Sequence, residues 1–96
     1  LRHGSPSFLQ HVAIELSAQN QQSLLVPPGC AHGFQTLTEN VDMFYCHSRT
    51  YAPQFEAGLN VLDARLQLQW PLPVTQRSER DVAFAFLTED FEGVKL

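Results

Sequence analysis

The stretch "VAIEL" (residues 12–16) decides which fold the sequence predicts. Its apolar residues Val12, Ile14 and Leu16 are each separated by one smaller or charged residue. Side chains on a β-strand point alternately to opposite faces, whereas a helix repeats its apolar positions every three to four residues. This stretch therefore predicts a strand with one face buried.

The same period of two continues along the chain. Leu66, Leu68 and Trp70 alternate with glutamines, and short apolar stretches occur at 23–26, 33–37 and 41–51. Turn-forming residues separate them, at 17–20, 27–29, 38–40 and 52–53. Short, closely spaced strands predict an all-β sandwich or barrel. Five or six strands are too few to close a barrel well, so we expect N-terminal strands to be missing from this chain.

One helical turn is predicted near the C-terminus. Ser78 precedes the polar residues Glu79, Arg80 and Asp81, and an apolar run follows at 82–87. A serine hydroxyl that accepts a hydrogen bond from a backbone N–H of the first turn is a common helix N-cap. We therefore expect Ser78 to cap this turn.

The composition restricts the classes of partner. Ninety-six residues suit one small domain, and 44% hydrophobic with 17% charged residues is typical of a globular chain. The net charge is −4, and the six basic residues form no run. A nucleic acid or an anionic membrane selects for clustered Lys and Arg, so neither partner is expected. No apolar run approaches the length of a membrane span.

The two cysteines indicate a reducing compartment. Cys30 and Cys46 fit neither a disulfide framework nor the spacing of a zinc knuckle. One bridge between them stays open as an alternative. Reduced thiols in a cytoplasmic protein are the simpler interpretation.

A histidine follows a rigid turn in "LLVPPGCAHGF" (residues 24–34). Pro27 and Pro28 restrict the backbone and Gly29 supplies a permissive position, so the direction of His32 is fixed. A structural imidazole, a metal ligand and a substrate contact all fit this stretch. The pattern P-x-G-x-x-H also resembles a cupin motif in which the histidine binds metal. Since the other histidines are scattered and no H-x-H occurs, we expect no metal.

Two tyrosines are candidates for chemistry. Tyr45 and Tyr51 share a face if their strand is regular, since they are six positions apart. Both can simply cover a core. Alternatively, a phenol with a pKa of about 10 can donate its proton to a carbanion, and a second ring can stack on a nucleobase with about 1–3 kcal/mol.

Three charged residues are further candidates. Glu56 and the segment "RSERD" (77–81) are consistent with ordinary polar surface. In a functional interpretation, Arg80 binds a phosphate through its guanidinium fork. Asp81 would then stand behind an imidazole and hold its tautomer.

Taken in order, these segments resemble a known family. The resemblance is to the C-terminal half of the dTDP-4-dehydrorhamnose 3,5-epimerase family, and it extends over nearly all 96 residues. The segments that carry it are "LRHGSPSF" (1–8), "ELSAQN" (15–20), "VPPGCAHGF" (26–34), "YAPQFE" (51–56), "LDARLQLQWP" (62–71) and "SERD" (78–81). It implies that residues 1–96 are the C-terminal part of a single cupin-like jelly-roll domain. It also implies a homodimer that uses no metal or redox cofactor and acts on a dTDP-4-keto-6-deoxy sugar.

The resemblance also implies roles for individual residues. Tyr45 matches the proton donor of the family, and Asp81 matches the partner of its catalytic base histidine. Residues matched to substrate binding are His32, Tyr51 (the ring that stacks on thymine), Glu56 and Arg80 (where a lysine is usual).

The catalytic base has no counterpart in this chain. The family carries it in an R-G-x-H segment of the N-terminal half, and His3, His11 and His47 match nothing catalytic. We therefore expect an N-terminal segment to supply the base, and the 96 residues alone to be inactive. The alternatives are a non-catalytic nucleotide-sugar-binding module, an epimerase acting at C3 or C5 only, and a metal-dependent cupin enzyme.

Overall fold

The computed structural model describes all residues from 1 to 96, most of them in extended segments and turns. It contains one α-helix, α1 (Glu79–Ala83), and two turns of 3-10 helix, Pro53–Phe55 and Ala64–Leu66. One isolated parallel β-bridge joins Arg2 to Val94. None of these helices is long and apolar enough to cross a membrane.

The prediction of an all-β, cupin-like jelly roll is wrong for this structure, which contains no β-sheet. Only 16 backbone–backbone hydrogen bonds form, and most of them close local turns. A strand becomes part of a sheet only when a second backbone lies about 4.8 Å away and shares hydrogen bonds with it. The period of two sets which side chains share a face, but it does not supply that neighbouring backbone.

The apolar faces of the extended segments remain open to solvent. Val12 is 73% exposed, Leu25 89% and Phe44 90%, whereas Leu66 is the one buried hydrophobic residue. The alternating pattern therefore produces extended chain, but the core it predicted does not form around it.

The predicted helix cap is confirmed. The Ser78 hydroxyl accepts a hydrogen bond of 3.1 Å from the backbone N–H of Asp81 at the start of α1. The helix ends at Ala83, because Phe84 returns to an extended conformation. The cap therefore fixes the backbone of the turn that carries Arg80 and Asp81.

Two buried polar residues, Asn60 and Asp63, form what we call the polar centre; they are 8% and 5% exposed. Asp63 accepts hydrogen bonds from the backbone N–H groups of Arg65 and Leu87. Asn60 donates its side-chain N–H to the carbonyl oxygen of Phe84 over 2.8 Å. The polar centre thus ties the turn at residues 60–66 to the chain that leaves α1.

The segment after residue 87 is held by its carbonyl groups. The guanidinium of Arg65 donates hydrogen bonds to the carbonyl oxygens of Thr88 and Phe91. In the turn between them, a hydrogen bond from the Thr88 side chain lowers the pKa of the Asp90 carboxyl below its ordinary value. The two hydrogen bonds from Arg65 keep this segment close to the turn that holds the polar centre.

The turn predicted before His32 is present. The backbone N–H of Cys30 donates to the carbonyl oxygen of Pro27 over 3.2 Å, and Gly29 adopts a φ of +80°. Arg2 donates from Nε to the carbonyl oxygen of Pro28, and a Cβ at position 29 would lie 2.6 Å from Arg2 Cγ. Backbone conformation and available space therefore both require glycine here.

Replacing Asp63 by asparagine tests the polar centre. An amide has one acceptor oxygen, so D63N leaves either the Leu87 or the Arg65 N–H without a partner, at a cost of about 1–3 kcal/mol. We expect one of these two amides to exchange its hydrogen about tenfold faster or more in NMR hydrogen-exchange measurements.

The matched control is D42N, since Asp42 is exposed. Unchanged exchange at both amides in D63N would contradict the role given to the carboxylate.

Candidate functional site

The first pair of predicted site residues that the structure brings together is His32 and Tyr45. Their ring centroids lie 5.9 Å apart, and the ring planes are inclined by 52°. Tyr45 is 44% exposed, so its phenol is open to a ligand from solvent. The two residues reach each other because the chain reverses between them, at bends over residues 38–40 where Asn40 has a φ of +56°.

The second pair is Glu56 and Arg80. A guanidinium nitrogen of Arg80 lies 2.7 Å from a carboxylate oxygen of Glu56, which directly follows the 3-10 turn Pro53–Phe55. The same guanidinium lies over the ring of Phe84 at 5.6 Å from its centroid. Arg80 is thus oriented by an ion pair and by an aromatic face.

The other two predicted residues stand apart from these pairs. Tyr51 is 73% exposed, so its ring is available to a ligand. Asp81 lies in the first turn of α1, where its backbone N–H is used by the Ser78 cap and the residue is exposed. Neither side chain forms a hydrogen bond, an ion pair or a ring contact with a member of the two pairs.

His47, which matched no catalytic position in the sequence, lies beside Tyr45. The imidazole centroid of His47 lies 6.0 Å from the centroid of the Tyr45 ring, with the planes inclined by 39°. The signal was present, because residues two apart on an extended segment lie on the same face. Tyr45 therefore has an imidazole neighbour on its own segment as well as His32.

No cluster of three or more His, Cys, Asp or Glu side chains close enough to hold a metal ion is present. Two open cavities, of about 350 and 770 Å³, are lined by residues 2–3 with 94–96 and by residues 11, 13 and 67–69. None of these is a predicted site residue. The candidate site residues lie at the surface, with a phenol beside imidazoles and a separately held guanidinium.

These groups have distinct chemical capacities. A phenol can donate a proton to a carbanion, and neighbouring imidazoles exchange protons near neutral pH. A guanidinium binds phosphate oxygens in its own plane. A ligand with one proton-exchanging end and one negatively charged end would use both groups.

Comparison with known proteins gives the class of this chain, which belongs to a family of sugar-nucleotide isomerases. The family is dTDP-4-dehydrorhamnose 3,5-epimerase, whose model matches residues 1–89. The resemblance seen in the sequence motifs is therefore confirmed.

Curated relatives support the same assignment. A dTDP-4-dehydrorhamnose 3,5-epimerase of Salmonella typhimurium is 34% identical over 93% of this chain and 49% of its own length. One from Pseudomonas aeruginosa is 36% identical over 88% of this chain and 49% of its own length. A Streptomyces antibioticus protein named "Probable dTDP-4-oxo-2,6-dideoxy-D-glucose 3,5-epimerase" is 31% identical over 98% of this chain and 51% of its own. The chain spans about half the length of these relatives, and no solved structure matches it.

A double-mutant cycle tests the contact between Glu56 and Arg80. Both side chains are partly exposed, at 35% and 53%, and exposed ion pairs typically contribute about 0.2–1 kcal/mol. We expect a coupling free energy in that range between E56Q and R80Q, measured from urea unfolding at low salt. The coupling free energy should fall when the salt is raised to 1 M, because salt ions screen the attraction between the two charges.

The control pair is E39Q with R80Q, which should show no coupling. A coupling of Glu56 to Arg80 that is zero at low salt would contradict the contact.

Proposed function

We propose that this chain is the acid and substrate-recognition part of a dTDP-4-dehydrorhamnose 3,5-epimerase-type enzyme of deoxysugar biosynthesis. Its substrate would be a dTDP-4-keto-6-deoxyhexose, inverted at C5 and C3. The observation that carries the proposal is the exposed phenol of Tyr45 beside the His32 ring, in a chain that belongs to this family.

The proposed reaction depends on the acidity of carbon–hydrogen bonds beside a ketone. A base removes the proton from C3 or C5, and the electron pair of the broken bond delocalises onto the C4 oxygen as an enolate. An acid then delivers a proton to the same carbon from the opposite face, which inverts the centre. A hydrogen-bond donor or a cation beside the enolate oxygen lowers the barrier.

Tyr45 is the proposed acid. A phenol keeps its proton at neutral pH, so it has a proton to donate whenever the enolate forms. The half-exposed position of the ring leaves room for a sugar to approach. His32, fixed in direction by the Pro27–Gly29 turn, is proposed to hydrogen-bond the sugar beside it.

The nucleotide end is proposed to lie at Arg80, Glu56 and Tyr51. The Arg80 guanidinium, already oriented by Glu56, would bind a diphosphate oxygen. The exposed Tyr51 ring would stack on thymine. Arginine in place of lysine keeps the charge and adds a planar fork, so diphosphate recognition is retained.

Asp81 is proposed to orient the catalytic base, which residues outside these 96 would supply. We further propose that the enzyme is a homodimer in the cytoplasm and that these 96 residues alone do not turn over substrate. A narrower activity at C3 or C5 alone belongs to the same chemistry, and the Streptomyces relative is named for a 2,6-dideoxy substrate.

A second candidate is a nucleotide-sugar-binding module without catalysis. The observation that favours it is that the Asp81 carboxylate is exposed and no histidine ring contacts it. Such a module would bind dTDP-sugars and leave the hydrogens at C3 and C5 in place.

Deuterium uptake distinguishes the two candidates. We expect the protein, as the gene encodes it, to catalyse deuterium uptake from heavy water at C3 and C5 of dTDP-4-keto-6-deoxyglucose. Mass spectrometry and NMR measure this uptake. Y45F should lower the rate of inversion by about 10²–10⁴-fold, because the proton donor is removed.

Y51F is the matched control, since it removes the other phenol of the chain and should keep most of the inversion rate. Binding without any deuterium uptake would reject the epimerase and leave the binding module.

Substitutions at Tyr51 test the stacking role. Y51A should weaken binding of dTDP by about 1–3 kcal/mol, measured by calorimetry, because the thymine loses its aromatic platform. Y51F should bind within a few-fold of the wild type. Equal affinity of Y51A and the wild type would remove Tyr51 from the nucleotide site.

A further inference from the structure

His47 adjoins Tyr45 and has no role in the proposed mechanism. Its ring centroid lies 6.0 Å from the ring centroid of Tyr45, close to the 5.9 Å between the ring centroids of His32 and Tyr45. The two residues are two positions apart on one extended segment, so the backbone itself holds them on the same face. Their proximity therefore does not depend on a distant contact.

Proton donation by a phenol leaves a negative charge that must be stabilised and then neutralised. A positive charge within about 4–6 Å favours the ionised form of a neighbouring acid, and screening in physiological salt extends over about 8 Å. Imidazole is the side chain that gains and loses a proton near neutral pH. A protonated imidazole beside Tyr45 meets both needs.

We propose that His47 is a positioning residue for Tyr45 that stabilises its phenolate during proton donation and returns the proton afterwards. This inference rests on the proposed function of Tyr45 as the acid. His32 is assigned to the substrate, whereas His47 is free of any other assigned contact and moves with the Tyr45 backbone.

The proton transfers balance as follows. The O–H bond of Tyr45 breaks, its proton forms the new C–H bond at the enolate carbon, and the phenolate keeps the electron pair. The N–H bond of protonated His47 then breaks and its proton passes through solvent to the phenolate oxygen. The protonated base releases to solvent the proton it took from the carbon, the neutral imidazole regains one proton from solvent, and no oxidant or reductant is involved.

Separating exchange from inversion isolates this step. In heavy water, deuterium in recovered substrate of unchanged configuration measures proton removal by the base. Formation of inverted product measures proton delivery by the acid. We expect H47Q to invert about tenfold more slowly, since an adjacent opposite charge shifts a pKa by roughly one unit or more. Exchange with retained configuration and KM should stay at wild-type values.

H47F keeps an aromatic ring but has no charge and no exchangeable proton, so it should invert as slowly as H47Q. H11Q is the matched control, because His11 is exposed and lines the separate cavity with residues 67–69. It should leave both rates unchanged.

Three results would overturn the inference: wild-type inversion in H47Q, wild-type inversion in H47F, or an equal loss of exchange and inversion in H47Q. The second would reduce His47 to ring packing and the third to a general structural role. If the wild type shows no exchange at all, the proposed function itself fails, and the inference fails with it.

Discussion

Buried polar atoms require partners, and this constraint organises the structure around Asn60 and Asp63. The Asp63 carboxylate accepts hydrogen bonds from the backbone N–H of nearby Arg65 and from that of Leu87, which is 24 residues further along the chain. Asn60 likewise donates a hydrogen bond to Phe84, 24 residues away. An unpaired buried acceptor costs about 1–3 kcal/mol, whereas a typical net hydrogen bond contributes about 0.5–1.5 kcal/mol. The turn at 60–66 is therefore held against the chain that leaves α1, and this fixes where the helix carries Arg80.

The open surface has consequences for the chemistry. Contacts between charges at partly exposed side chains, such as Glu56 and Arg80, are weakened by water and salt, so they orient groups more than they stabilise the fold. Apolar faces such as those at Val12 and Phe44 are solvated as well. In the proposed mechanism, electrostatic assistance to Tyr45 would therefore come from groups in its immediate neighbourhood, and two imidazole rings lie there.

Local chemistry was readable from the sequence, whereas long-range pairing was not. Ser78 and the Pro27–Gly29 turn act through atoms within a few residues, and the structure has both as predicted. A sheet needs a second backbone at hydrogen-bonding distance, which alternation does not specify, so the jelly roll was wrongly predicted. The Glu56–Arg80 contact joins residues 24 apart and no spacing rule predicts it. His47 was given no role because it matched no family motif, although its spacing from Tyr45 placed it on the same face.

The proposed epimerase reaction requires one ligand to contact both ends of the proposed site. NMR titration of the protein, as the gene encodes it, with a dTDP-hexose follows the ring signals of Tyr45 and the guanidinium signal of Arg80 together. Both signals should shift along one saturation curve with a single Kd. With dTDP alone, the Arg80 signal should shift and the Tyr45 ring signals should not change. An Arg80 signal that saturates with the dTDP-hexose while the Tyr45 ring never responds would show that the two groups do not share a substrate.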